Sequence, residues 1–214
     1  MKKLESSLIN MLLVLTGVTA LAVAILAYFN EVTKEPIAQA NMKILNEALM
    51  SVVPEFDNNP VEDSDTIFKS QGETQVVDFI VYPAKKGEKW VGTAVQAASL
   101  GFGGEMKILV GFDENGNIYN YSLLAHTETP GLGSKADVWF KKGEPGDIIG
   151  KNPGEKALSV DKDGGEVNSI TASTITTRAF LNAVNAAYKA YLEGEVDQTS
   201  GATNLVTDET TETN

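Results

Sequence analysis

From Leu8 to Phe29 the chain runs for 22 residues, LINMLLVLTGVTALAVAILAYF, without a charged side chain. As a helix rising about 1.5 Å per residue, the run reaches about 33 Å, enough for a hydrocarbon core of about 30 Å. Tyr28 and Phe29 stand where an interfacial aromatic anchor belongs. Lys2 and Lys3 precede the run, and the positive-inside rule then holds the amino end in the cytoplasm and places the following domain outside it. A cleaved signal peptide is the alternative, since Ala22-Val23-Ala24 has the small residues of a cleavage site. Apolar cores of signal peptides run about 7 to 15 residues, however, and this one is longer, so it reads as a retained single-pass anchor. No cysteine follows it to carry a lipid.

Once the anchor and a polar tail are set aside, about 160 residues remain, enough for one domain with a sizeable core. Seventeen basic residues stand against 29 acidic ones, a net charge of −12. Nucleic acid and anionic lipid are poor partners for that balance, because phosphate binding needs clustered Lys and Arg. The absence of cysteine excludes disulfides, thiolate metal sites, cysteine-ligated iron–sulfur clusters and thiol nucleophiles. A single histidine, His126, excludes a His-rich metal site or a pair of haem ligands, so no metal centre is expected. Any redox chemistry here must be carried by an organic cofactor.

Beyond the anchor, Ile37, Met42, Leu45, Leu49 and Val52 form an apolar stripe that predicts a helix over Glu31–Val53, ended by Pro54 and the turn at Asp57–Pro60. Strands are predicted at Gln75–Tyr82 and Lys89–Ala97, split by the Lys85-Lys86-Gly87 turn, and at Met106–Asp113 and Ile118–Leu124, joined through Asn115-Gly116. A last strand-like piece spans Lys156–Val160. Asn168–Thr177 then opens a helix whose residues Phe180, Leu181, Val184, Tyr188, Tyr191 and Leu192 share one face. The predicted organisation is an anchor over 1–30, a juxtamembrane helix and linker over 31–60, a folded domain over 61–194 and a disordered acidic tail over 195–214.

Two segments have the composition of a site. At the start of the last helix, Thr174, Thr176 and Thr177 put hydroxyls beside unpaired N–H groups and a partial positive charge, with Arg178 adjacent; this suits a phosphate, and equally a simple N-cap. The Glu128–Gly133 loop holds two glycines and a proline, which suits close approach to a flat ligand, and equally a plain connector.

Taken together, these pieces resemble a known family. Gly101-Phe102-Gly103-Gly104, the strand–Asn115-Gly116–strand unit and His126-Thr127-Glu128-Thr129-Pro130-Gly131-Leu132-Gly133 look like the FMN-binding domain of two related proteins. These are the G subunit of the Rnf ion-translocating ferredoxin:NAD oxidoreductase and the C subunit of the sodium-pumping NADH:quinone oxidoreductase. Asn168–Thr177 is similar to their flavinylation motif, Asp-x-x-Ser/Thr-Gly-Ala-Thr followed by x-Ser/Thr-Ser/Thr, with Asn168, Ala172 and Ser173 in place of its Asp, Gly and Ala. The resemblance implies an α+β fold: one transmembrane helix, then an extracytoplasmic FMN-binding domain with an antiparallel sheet and flanking helices.

It further implies a covalent FMN, joined through its phosphate to Thr174 by a flavin transferase with FAD as donor. Glu128, Thr129 and the Gly131-Leu132 backbone would contact the ring region, and Thr176 and Thr177 the phosphate region. The flavin, not a side chain, would carry electrons between membrane subunits of an ion-pumping complex in the cytoplasmic membrane. Asp197–Thr203 matches the seven-residue core without departure, which makes Thr203 a second candidate acceptor, but Asn204-Leu205-Val206 lacks the trailing hydroxyls. Length favours the Rnf protein over the quinone-reductase one. The alternative of a different class is an anchored extracytoplasmic binding domain without a cofactor.

Overall fold

The computed structural model describes residues 8–71 and 74–200. Helix α1 is Leu8–Val52, continuous through the apolar run and through Pro36. The helix predicted over Glu31–Val53 is the second half of this one continuous helix: the i→i−4 bond lost at a proline does not outweigh the helix-forming residues on either side. The chain divides into two compact units, one ending at Leu45 and the other starting at Asn46. In the first unit the apolar side chains are bare, Leu12 and Leu21 among them at 65% and 64% exposure. By length and composition α1 is able to cross a membrane.

The second unit is built on a five-stranded antiparallel meander, β1 (Asp65–Gln71), β2 (Thr74–Lys86), β3 (Lys89–Leu100), β4 (Glu105–Asp113) and β5 (Ile118–Ala125), in that spatial order. β1 was not expected from sequence, because DTIFKSQ lacks the apolar–polar alternation of a half-buried strand; it pairs along β2 as an edge. The alternation in β4 is realised: Met106, Ile108, Val110 and Phe112 are wholly buried and face the core. Gly111, on the opposite face, lies under the last turn of α1, where an added Cβ would run into the Val52 carbonyl.

Two short helical segments follow, a 3₁₀ turn at Gly133–Lys135 running into α2 (Ala136–Trp139), and later a second 3₁₀ turn at Asp161–Asp163. Helix α3, Thr174–Ser200, covers the core face of the sheet. Phe180 of α3 stacks on Phe140 with ring centres 4.2 Å apart and meets Tyr121 of β5 edge-on at 4.9 Å. The Tyr121 hydroxyl donates to the Ala136 carbonyl and accepts from the Phe140 amide, so the aromatic cluster also fixes α2.

Two expectations are corrected. Lys156–Val160 is not a strand; only an isolated bridge joins Val160 to Val167. The Asn185 side-chain amide, from α3, takes the place of a neighbouring strand by accepting from the Leu158 N–H and donating to its carbonyl. The helix also runs past Gly194 to Ser200, into the span expected to be tail, since extending a formed helix costs far less than starting one. Thr203 lies outside the described residues.

Candidate functional site

Helix α3 begins at Thr174, later than the expected opening at Asn168, because residues 168–173 are spent on a turn. The Ser173 N–H donates to the Ile170 carbonyl, and Ala172 takes a left-handed backbone with φ 60°. The three threonines then divide. Thr177 is a clasp: its hydroxyl donates to the Ser173 carbonyl at 3.0 Å and accepts from the Ile170 N–H at 3.1 Å. Thr176 is buried and its hydroxyl donates to Glu128 Oε2 at 2.7 Å. Thr174 is half-buried, and its Oγ1 accepts from Lys162 Nζ at 2.9 Å. Among the described residues the Thr174 hydroxyl finds no acceptor of its own.

Glu128 ties the two predicted segments together over a separation of 48 residues in the chain. Its other oxygen, Oε1, accepts from the Gly103 N–H at 3.1 Å, and the Thr127 hydroxyl donates to the Gly103 carbonyl. The glycines around it answer to different needs. At Gly101 and Gly133 the issue is space, since a Cβ would collide with the Glu128 carboxylate, and at Gly133 it would also stand 2.8 Å from Thr176 Oγ1. At Gly131 the issue is conformation: φ is 75° and nothing lies within 4 Å of a Cβ there. His126 serves the loop backbone, its Nδ1 accepting from the Glu128 N–H, with Nε2 3.5 Å from Asp137.

These elements enclose a cavity of about 340 Å³ walled by Phe102, Glu128, Thr129, Leu132, Gly133 and the run Ala172–Thr176. The wall is mixed. Phe102, Leu132 and Ile175 offer exposed apolar surface, and Thr174 and Glu128 supply oxygen. A flat, largely apolar ring with a polar rim suits such walls, and a phosphate suits the start of α3 behind them. Of the residues singled out from sequence, Glu128, Thr129, Leu132, Thr174 and Thr176 come together on the cavity. Gly131 and Thr177 do not line it.

Arg178 is not the cation at Thr174, as its position in the sequence suggested. Its guanidinium makes a two-pronged bond to Asp163 at 2.7 Å on each arm, and this holds the Asp163 carboxyl below its usual range. Lys162 takes that place instead, and sequence reasoning missed it. It sits 12 residues from Thr174 on the Asp161–Asp163 turn, which the Asp161 N–H secures by donating to the Val167 carbonyl. Asp161 in turn accepts from the Ser169 N–H. No local spacing announces a contact made by a turn folding back.

The FMN-binding domain family matches residues 101–189, a span that contains every residue walling the cavity. A protein of Aliivibrio fischeri (strain ATCC 700601 / ES114), named as the G subunit of an ion-translocating oxidoreductase complex, is 33% identical over 195 residues, covering 86% of this chain and 90% of its own. The chain belongs to this G-subunit family. Relatives of the same name from Stutzerimonas stutzeri and Shewanella piezotolerans (strain WP3 / JCM 13877) are 31% and 32% identical, over 78% of this chain in each case. The resemblance carried by the glycine, loop and threonine segments is thus to the right family, and the α+β fold it implied is the fold observed.

Ala172, which stands where the motif that Asn168–Thr177 resembles has glycine, is the one non-glycine residue with positive φ among those described. A Cβ in that region costs about 1 kcal/mol or more. Ala172→Gly is therefore expected to stabilise the domain by about 1 kcal/mol, read as a rise in Tm of about 2 to 4 °C. An unchanged or lower Tm would show that the strain at 172 is no larger than the unfolded-chain entropy that glycine adds.

Proposed function

We propose that the protein is a membrane-anchored flavoprotein subunit of an Rnf-type ion-translocating oxidoreductase complex, with FMN joined by a phosphoester to Thr174. The observation that carries this reading is the division of labour among the threonines. Thr176 and Thr177 have their hydroxyls bound within the fold, whereas Thr174 presents its own on the cavity wall. A bound FMN supplies one- and two-electron chemistry that no side chain here can. The chain's own part is to hold and shield it. Glu128 locks the Gly101–Gly104 turn to α3, and Thr129 and Leu132 form the facing wall.

The G-subunit relatives support a multi-subunit complex as the setting, with its other subunits as partners; a flavin transferase is proposed as the maturation enzyme. The test is direct. The full chain, co-expressed with a flavin transferase, is expected to show flavin fluorescence that survives denaturing electrophoresis, and an intact mass increased by FMN less one water. Absence of both would favour a cofactor-free binding domain.

The proposed layout is anchor over 1–30, juxtamembrane segment over 31–60 and FMN domain over 61–194, with the amino end in the cytoplasm and the FMN domain outside the cytoplasmic membrane. Lys2 and Lys3 before the uncharged run support that orientation. Protease added to intact spheroplasts is expected to degrade the FMN domain, and protection of the domain would reverse the orientation. A mature protein starting near residue 25 would replace the anchor with a signal peptide.

A further inference from the structure

We infer that Lys162 is a positioning residue for ester formation at Thr174: its ammonium orients the acceptor hydroxyl and then stands beside the new phosphodiester. The inference rests on Thr174 as acceptor. The Lys162 Nζ donates to Thr174 Oγ1 at 2.9 Å, which occupies one lone pair of that oxygen. The hydroxyl hydrogen is left without an acceptor among the described residues, free to be taken by a base from outside the chain. A positive charge beside the oxygen favours the developing alkoxide.

The transfer balances without redox change. A bond forms between Thr174 Oγ1 and the phosphorus of the FMN half of FAD. The phosphoanhydride bond to the AMP half breaks, AMP leaves with the electron pair, and the threonine proton goes to a base of the transferase. The product has one negative charge on its phosphodiester beside the oxygen that Lys162 already touches.

Competing explanations for a cation here are weak. Arg178, nearer in sequence, is held by both arms to Asp163. Among the described residues no other ammonium or guanidinium donates to Thr174. The Lys162 side chain is exposed and, among the described residues, bonds to no carbonyl or carboxylate that closes the fold, whereas its backbone belongs to a turn secured by Asp161 and Val167. The side chain can therefore be changed without dismantling its support.

The experiment follows ester formation on the full chain in membranes, incubated with purified flavin transferase and FAD and sampled for intact mass. Lys162→Gln is expected to lower the initial rate of the FMN mass increase about tenfold. Lys162→Arg, which keeps the charge, should stay within about threefold of wild type, and Arg178→Gln within about twofold. Melting of the unloaded Lys162→Gln protein should match wild type. The inference is overturned if Lys162→Gln loads at the wild-type rate, if Arg178→Gln slows loading as much, or if Lys162→Gln melts several degrees lower and Lys162→Arg does not restore the rate. Thr174→Val in the same assay separates the two levels. No mass increase in that variant keeps Thr174 as acceptor whatever Lys162 does, and a wild-type increase removes Thr174 and this inference with it.

Discussion

Thr174→Val is expected to abolish covalent flavin while leaving the fold intact. Phosphoester formation needs a hydroxyl, and valine keeps the branched shape without the oxygen. The loss to folding should be small, because the Thr174 hydroxyl serves only as acceptor for the exposed Lys162 side chain. Thr176 and Thr177 cannot substitute at low cost. Each would have to give up a buried hydrogen bond, to Glu128 in one case and to the Ser173 carbonyl in the other, and a buried polar group left unpaired costs about 1 to 3 kcal/mol. Intact mass after co-expression with the transferase gives a yes-or-no readout. Thr203→Val should keep its flavin. If Thr174→Val carries one flavin and Thr203→Val carries none, the acceptor is Thr203 and the threonines at the start of α3 are structural only. Two flavins on the wild type would mean that both motifs are used.

Glu128→Ala is expected to give the largest loss of stability at the site. The carboxylate is buried and receives two donors from different parts of the chain, the Gly103 N–H and the Thr176 hydroxyl. Truncation orphans both, at a combined cost of about 2 to 4 kcal/mol. For a domain of this size that corresponds to a fall in Tm of about 5 to 15 °C. Flavin loading should fall as well, because the Gly101–Gly104 turn and α3 are the opposing sides of the cavity that Glu128 holds in register. Glu128→Gln should be much milder: its amide oxygen can accept from Gly103, and its NH₂ can donate to Thr176 once that hydroxyl rotates. If Glu128→Ala melts within about 2 °C of wild type, the carboxylate is not the link between the two segments.

The long apolar helix, four of the five strands and the last helix were legible in the sequence because each is a local pattern. The uncharged run of 22 residues, the alternation in β4 and the one-sided apolar face of α3 are periodicities within a single element. The edge strand β1 was not legible, since an edge strand pairs through its backbone and needs no apolar alternation. Lys156–Val160 misled for the converse reason: its composition is that of a strand, but the groups that pair with Leu158 are on the Asn185 side chain.

At the site the sequence by itself determined the residue types and the family: glycines where a Cβ would collide, a threonine-rich helix start, and a loop ending in Gly-Leu-Gly. Only the tertiary structure decided which hydroxyl is open. Three threonines within four positions look alike in the chain, and they differ because a helix turns about 100° per residue and shows each to a different neighbour. Thr177 points back into its own turn, Thr176 to Glu128 and Thr174 to Lys162. The same geometry moved the cation from Arg178, adjacent in sequence but paired with Asp163, to Lys162, which only a folded turn brings within 2.9 Å of Thr174 Oγ1. Hydrogen bonds of this kind depend on directions set by elements far apart in the chain, and no spacing rule in a linear sequence encodes them.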